Sequence, residues 1–83
     1  MTAAATPLPT RQVGRTKLRV PVLGLGTAPL HRSEDSVAIA TIHRALELGI
    51  TLIDTAEVYG PFVNEELVGK ALKDRRDKAV IAT

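Results

Sequence analysis

Cysteine is missing from the 83-residue chain, which excludes disulfides and thiolate metal sites within it. The two histidines, His31 and His43, lie on different predicted elements without the spacing of a metal site, so no metal ligand is expected. No apolar run reaches the length of a membrane span. Residues 1–10 also lack the early positive charge and the apolar core of a signal peptide. We therefore expect a cytoplasmic chain without a membrane partner, in which residues 1–10 form a flexible leader.

Aromatic residues are scarce, at 2% of the chain, and acidic residues are absent from its first 32 positions. The cations of that segment are Arg11, Arg15, Lys17, Arg19 and Arg32. A basic segment can attract nucleic acid. Spaced cations without interleaved aromatics are a weak footprint, however, and the solvated face of a hairpin explains them. We expect no nucleic-acid partner.

Apolar residues make up 45% of the chain and fall into alternating strand-like and helix-like blocks, as in a folded globular domain. The first blocks predict a hairpin over residues 11–21, a strand over 22–27 and a helix from an N-cap at Ser33 to Gly49. The later blocks predict a strand over 51–54, a helix capped by Asn64, a solvated charged turn over 74–78 and a strand over 79–83. Strands that alternate with helices predict an α/β fold with a parallel sheet.

Some details of these elements are also predicted. Pro21 should end the hairpin ladder because it has no N–H to donate. The strand over residues 22–27 should be buried, and Ile39, Ile42 and Leu46 should form the buried stripe of the first helix. The last strand arrives without a covering helix, and a chain of this length would bury only about 60% of its surface if it folded alone. The pattern is that of the first part of a larger domain.

Gly24 and Gly26 form a Gly-x-Gly pattern that needs to be weighed as a dinucleotide-binding fingerprint. The full fingerprint requires a third Gly or Ala three residues further on, where this chain has Pro29. The pattern therefore disfavours a Rossmann fold. Glycine in a strand more often marks the close approach of another backbone or of a ligand.

An aspartate and the only tyrosine of the chain follow the central predicted strand closely. Asp54 ends the strand, and Tyr59 comes five residues later on the following loop. A carboxylate and a phenol in one small volume suit proton-transfer chemistry. The alternative is structural: Asp54 bonds nearby backbone amides, while Tyr59 packs its ring on the loop. The spacing alone leaves both interpretations open.

Several motifs in order resemble one known family. They are LGLGT over residues 23–27, ALELGI over 45–50, DTA and YG within 54–60, NEELVGKAL over 64–72 and VIAT over 80–83. With these motifs, residues 11–83 resemble the amino-terminal part of the aldo-keto reductases. Those enzymes are (β/α)8 TIM barrels with a nicotinamide cofactor, and a hairpin precedes the first barrel strand. The resemblance implies an incomplete, truncated barrel of the order hairpin, then β-α-β-α-β.

The resemblance also implies roles for individual residues. Asp54 and Tyr59 match the family's catalytic aspartate and tyrosine, while the catalytic lysine should directly follow Thr83 and the catalytic histidine should come later. Gly26, Thr27 and again Asp54 match positions at the nicotinamide end of the cofactor. The cofactor expected from the resemblance is NADPH, and the expected substrate is a small-molecule carbonyl compound.

The implied reaction is the reduction of an aldehyde or ketone by hydride transfer, with the tyrosine as proton donor. A free phenol has a pKa of about 10 and needs a neighbouring ammonium to exchange its proton near neutral pH. Since the lysine and histidine are outside the chain, we expect an oxidoreductase fragment that is inactive alone. The alternatives are a shortened relative that serves as a binding or regulatory module, and a small α/β domain of unrelated function.

Overall fold

The structure is a computed structural model that describes residues 8–83, so the leader predicted at residues 1–10 lies largely outside the described residues. The elements in chain order are β1 (Thr10–Gln12), β2 (Arg19–Pro21), β3 (Gly24–Gly26), a 3-10 turn (Leu30–Arg32), α1 (Asp35–Glu47), β4 (Leu52–Asp54), α2 (Val63–Leu72), a second 3-10 turn (Arg76–Lys78) and β5 (Val80–Ala82). This is the predicted order of a hairpin followed by β-α-β-α-β. No helix within residues 8–83 is long and apolar enough to cross a membrane.

β1 and β2 form the predicted antiparallel hairpin, and Gly14 takes a left-handed φ of 53° in its turn. β2 ends at Pro21, as predicted, but the missing N–H of proline is not the reason. Pro21 pairs with Thr10, and the N–H of Val22 then donates to the carbonyl of Pro9 at 2.9 Å. Hydrogen-bonded and non-bonded pairs alternate along an antiparallel ladder. Because this alternation puts Pro21 at a non-bonded pair, its missing N–H interrupts nothing.

β3, β4 and β5 form the predicted parallel sheet, with β4 in the centre. The register places Gly26 beside Asp54, and Asp54 beside Ala82. All three strands therefore end level with one another, and each ends on one of these residues. The carboxyl ends of the three strands therefore form one edge of the sheet, here called the rim. It consists of Gly26, Asp54 and Ala82.

The two helices cover one face of this sheet. Leu25, Ile53 and Ile81 lie side by side in the three strands, and all three pack in the core beneath the helices. The fully or nearly fully buried members of that core are Ile42, Ile53, Val68, Ala71, Leu72 and Ala79. Because side chains alternate along a strand, the rim residues Gly26, Asp54 and Ala82 belong to the opposite face.

The expectation of a buried first strand is wrong for residues 8–83 taken by themselves. β3 is limited to Gly24–Gly26, and the side chains that precede it are half exposed, Val22 at 50% and Leu23 at 54%. The physical reason is one-sided cover, since both helices pack on the face that carries Leu25. A parallel strand is buried on both faces only when both faces are covered.

α1 begins later than predicted, and Ser33 is not its N-cap. The N-cap is Glu34, whose carbonyl accepts the N–H of Ala38 at 3.0 Å. The N–H of Ser33 instead donates to the carbonyl of Leu30 at 3.0 Å and closes the preceding 3-10 turn. Ser33 therefore ends one turn and does not start the helix.

The end of α1 is as predicted, with Gly49 in a left-handed conformation at φ 90°. The N–H of Gly49 donates to the carbonyl of Leu46 at 3.0 Å, and the N–H of Ile50 donates to that of Ala45 at 2.8 Å. These two bonds are a Schellman motif, which satisfies carbonyls that have no partner inside the helix. The motif turns the chain directly into β4.

The predicted stripe of α1 packs as expected. Ile42 is fully buried, while Ile39 and Leu46 are half-buried against the same core. His43 sits at the edge of the stripe, and its Nε2 lies 2.7 Å from the carbonyl oxygen of Ala71 on α2. It is a packed histidine between the helices.

The charged turn over residues 74–78 is exposed except for the half-buried Arg75. Arg75 donates to the carboxylate of Asp74 from Nε at 2.9 Å and from a terminal nitrogen at 3.1 Å. These hydrogen bonds to the guanidinium hold the pKa of Asp74 below its usual value. The turn acts as a solvated connection between α2 and β5, as predicted.

Candidate active site

The strand-end aspartate occupies the middle of the rim. Asp54 is exposed, lies between Gly26 and Ala82, and belongs to the face of the sheet that the helices leave uncovered. Within residues 8–83, the carboxylate of Asp54 accepts no hydrogen bond. The structural alternative, in which Asp54 binds nearby backbone amides, is therefore not observed. The side chain of Asp54 is free to act on a ligand or on a further side chain at the rim.

The backbone around Asp54 is held from both sides. The N–H of Thr27 donates to the carbonyl of Asp54 at 3.0 Å, and the N–H of Thr55 donates to the carbonyl of Ala82 at 2.9 Å. These bonds continue the parallel pairing one residue beyond each strand. The position of Asp54 is therefore fixed by both neighbouring strands.

Tyr59 lies on the loop that leaves this rim, and it is half-buried. The N–H of Tyr59 donates to the carbonyl of Ala56 at 3.1 Å, and the carbonyl of Tyr59 accepts the N–H of Asn64 at 3.1 Å. A third bond closes the loop, from the N–H of Phe62 to the carbonyl of Glu57 at 2.8 Å. The phenol oxygen makes no hydrogen bond within the described part of the chain. The loop is thus ordered by its backbone, and the hydroxyl of Tyr59 stays available.

Gly26 leaves open space at the rim. A Cβ added to this glycine would have no heavy atom within 4 Å, apart from its chain neighbours. Gly24 differs, since a Cβ there would come within 3.1 Å of Leu52. An added Cβ at Gly24 would therefore press on the side chain of Leu52, whereas Gly26 borders the uncovered face beside Asp54.

Thr27 is fully buried behind this rim. Its hydroxyl oxygen lies 2.7 Å from the carbonyl oxygen of Asp54 and 2.6 Å from Oδ1 of Asn64. The hydroxyl is therefore engaged with the protein, and only its backbone neighbourhood borders the rim. A cofactor-binding role for Thr27 stays a prediction.

Asn64 is placed differently from its prediction as an N-cap. α2 is Val63–Leu72, so Asn64 lies inside its first turn, and the N-cap is Phe62 in a left-handed conformation at φ 67°. The side chain of Asn64 is fully buried and bonded to Thr27 and Thr55. Asn64, Thr55 and His31, which contacts Asn64, are site residues that the sequence did not single out. The available signal was a threonine directly after each of the three parallel strands.

No three side chains of the His, Cys, Asp and Glu types gather closely enough within residues 8–83 to hold a metal ion.

Substituting Gly60 should destabilise the loop that carries Tyr59. Gly60 has a φ of 82°, and an added Cβ would lie 3.0 Å from the ring of His31 and 3.2 Å from Cβ of Val63. We expect G60A to lower the free energy of unfolding by about 1–3 kcal/mol, since an L side chain is strained in this conformation. Chemical denaturation of the purified protein measures the change.

Gly69 provides the matched control for this prediction. It lies within α2, and a Cβ at this position would meet nothing within 4 Å. G69A should therefore be neutral or stabilise the protein by about 0.5–1 kcal/mol, the helix-propensity gain of alanine over glycine. If G60A were as stable as G69A, the loop would not be fixed as described.

The fold and the rim together define a class of protein, the parallel α/β proteins that carry their sites at the carboxyl ends of the strands. A family model described as "Aldo/keto reductase family" matches residues 22–83. The chain belongs to the aldo/keto reductase family.

Individual relatives agree with this assignment. The aldo-keto reductase YhdN of Bacillus subtilis is 40% identical over 78 residues, which cover 86% of this chain and 24% of the relative. The L-galactose dehydrogenase of Arabidopsis thaliana is 38% identical over 73 residues, or 82% of this chain and 23% of the relative. Among solved structures, an aldo-keto reductase from Bacillus halodurans in its holo form matches with a TM-score of 0.82 and 40% identity, over 88% of this chain and 24% of that one.

The chain spans about a quarter of the length of the relatives it matches. The matched structures are barrels whose amino-terminal part corresponds to this hairpin and parallel sheet. The predicted fold class, an incomplete α/β piece of a (β/α)8 barrel, is thereby confirmed.

Proposed function

We propose that this chain forms the opening part of an NADPH-dependent reductase of aldehydes and ketones. The observation that carries the proposal is the position of Asp54. Its carboxylate lies exposed at the centre of the rim, on the uncovered face, and has no partner within residues 8–83. An exposed carboxylate fixed between two strand ends in this way is suited to hold a cationic group of the active site.

Tyr59 is the proposed proton donor. Its hydroxyl makes no hydrogen bond within the described residues, while its backbone is fixed to Ala56 and Asn64. In the proposed reaction, the phenol gives its proton to the carbonyl oxygen of the substrate as the oxygen gains negative charge. Proton transfer from a positioned side chain typically contributes about 10²–10⁴-fold to a rate.

A lysine directly after Thr83 is proposed to complete the relay. Thr83 points toward the helices, since its hydroxyl donates to Glu65 of α2 at 2.6 Å. Because side chains alternate along a strand, the next residue would face the same side as Ala82 and Asp54. An ammonium at that position could pair with Asp54 and lower the pKa of a nearby phenol. Asp54 would then hold the cation, and the cation would act on the phenol.

Gly26 and Asp54 are the residues proposed to border the nicotinamide. The open space where a Cβ of Gly26 would lie fits the approach of a flat ring to the backbone at the rim. The backbone of Thr27 adjoins the same place, while its hydroxyl orders the rim from behind. When bound there, NADPH supplies the hydride for the carbonyl carbon. The preference for NADPH over NADH is part of the proposal.

A direct comparison tests this function. One sample is the 83-residue chain, and the other, here called the extended protein, continues from Thr83 through the remaining β/α units of the barrel. With NADPH and a small aldehyde, the extended protein should oxidise the cofactor, and the 83-residue chain should show no turnover. Equal activity in both samples would contradict the proposed lysine. A small-molecule substrate, a cytoplasmic location and the absence of nucleic-acid and membrane partners stay predictions.

A further inference from the structure

The carboxamide of Asn64 is the most connected polar side chain in the described part of the chain. Its Oδ1 lies 2.6 Å from the hydroxyl of Thr27 and 2.6 Å from the hydroxyl of Thr55. Its Nδ2 contacts the carbonyl oxygen of Thr27 and lies 3.2 Å from Nδ1 of His31. The residue is fully buried, and no buried polar side-chain atom within residues 8–83 lacks a partner.

The partners fix which way this carboxamide is turned. A backbone carbonyl can only accept a hydrogen bond, so the atom of Asn64 that faces Thr27 O has to be the NH2 nitrogen. The opposite atom is then the oxygen, which accepts from the Thr55 hydroxyl and shares the single proton of the Thr27 hydroxyl with the carbonyl oxygen of Asp54. Nδ1 of His31 accepts the second N–H of the amide, which places the ring proton of a neutral His31 on Nε2. Both donors and both acceptor sites of the amide are thereby used.

These contacts join the segments that surround the candidate active site. Thr27 directly follows β3, Thr55 directly follows Asp54, and Asn64 itself belongs to the first turn of α2. The backbone N–H of Asn64 also donates to the carbonyl of Tyr59 at 3.1 Å. One residue therefore contacts the neighbour of Asp54 through its side chain and Tyr59 through its backbone.

A purely structural role is the alternative to weigh. Buried amides are normally satisfied, and a satisfied amide stabilises a fold without further function. The identity of the residues that Asn64 contacts distinguishes a positioning role from a purely structural one. Of the partners named above, Thr27, Thr55 and Tyr59 each are or adjoin a proposed catalytic or cofactor-binding residue. His31 is the exception. Displacing such a residue by about 1 Å can lower a rate by about 10²-fold.

We propose that Asn64 is a positioning residue, which holds the strand end at Asp54 and the loop at Tyr59 in one fixed arrangement. The inference rests on the proposed function, because it assigns the arrangement to the proton relay. Asn64 does not touch substrate or cofactor in this account. It acts through Thr27, Thr55 and the backbone of Tyr59.

The test uses two substitutions in the extended protein and an exposed control. N64D keeps the shape of the side chain but removes both N–H donors. T55V removes one hydroxyl donor to Oδ1 with little change of shape, and T55S retains that hydroxyl. E66Q alters an exposed side chain on the same turn of α2 and serves as the control.

Two readouts are measured for each variant. We expect kcat to fall about 10–100-fold in N64D and about fivefold in T55V, with KM for the aldehyde changed by no more than about threefold. T55S and E66Q should stay within about twofold of the unsubstituted protein. In the protein without ligands, amide hydrogen exchange over residues 55–62 should rise about tenfold in N64D and T55V, while exchange over α1 stays unchanged.

The outcomes separate this inference from the proposed function. If N64D fails to fold, T55V and T55S decide the matter, since their difference is a single hydroxyl. Unchanged kcat and unchanged loop exchange in T55V would overturn the inference, as would a loss of thermal stability alone. If the unsubstituted extended protein does not reduce any aldehyde, the proposed function fails, and hydrogen exchange still shows whether Asn64 orders the loop.

Discussion

Replacing Tyr59 with phenylalanine is expected to lower kcat of the extended protein by about 10²–10⁴-fold, the range for loss of a positioned proton donor. The substitution removes only the hydroxyl, which makes no hydrogen bond within residues 8–83. The half-buried ring keeps its packing, so the thermal midpoint should not change measurably. Steady-state kinetics with NADPH and a small aldehyde measure the effect, together with a thermal melt of each variant.

Val58 supplies the matched control on the same loop. Its side chain is 78% exposed and directly precedes Tyr59. V58A should leave both kcat and the thermal midpoint unchanged, because it removes a side chain with few neighbours. If Y59F retained activity within about twofold of the unsubstituted protein, the proton would come from another group. The role proposed for Tyr59 would then be wrong.

Truncating Ile53 should cause the largest loss of stability in this part of the protein. Ile53 is fully buried in the central strand, and it directly precedes Asp54. I53A leaves a cavity between the sheet and the helices, and buried Ile→Ala substitutions lower the free energy of unfolding by about 2–5 kcal/mol. Urea denaturation of the extended protein measures the loss as a lower midpoint at an unchanged slope.

V58A is again the control, since its exposed side chain should contribute less than about 0.5 kcal/mol. A similar loss in I53A and V58A would show that Ile53 is not the centre of the core. The expected contrast follows from position in the sheet, because Ile53 has a strand on each side and both helices above it.

Local patterns in the sequence were enough to predict the elements and the rim. The apolar stripe of α1 and the left-handed Gly49 depend on neighbours a few residues apart, and both are found in the structure. Asp54 was placed at the end of a strand because a short apolar run stops there. Parallel pairing of the strands was predicted because each crossover contains one helix, and the structure then places Gly26 and Ala82 beside Asp54.

The network behind the rim could not be predicted in the same way. Asn64 is separated from Thr27 by 37 residues and from His31 by 33, so no local rule connects them. Capping rules favour asparagine at the start of a helix, and they led to the wrong role for Asn64. The actual N-cap is Phe62, whose φ of 67° is rare for a residue other than glycine.

The burial of β3 could not be read from its composition either. An apolar strand indicates that both faces can be covered, but it does not say which part of a protein covers them. Within residues 8–83 the helices cover one face only, and Leu23 is 54% exposed. The exposure of the strand that contains β3 is therefore observed for residues 8–83 by themselves, in which only one face of the sheet is covered.

The fate of a labelled hydride tests the central claim most directly. NADPH that carries deuterium at the transferring position of its nicotinamide is incubated with the extended protein and a small aldehyde. We predict an alcohol with one deuterium on the former carbonyl carbon, formed by the extended protein and not by the 83-residue chain. If the extended protein formed no alcohol, or an alcohol without deuterium at that carbon, the carbonyl reduction proposed for Asp54 and Tyr59 would be contradicted.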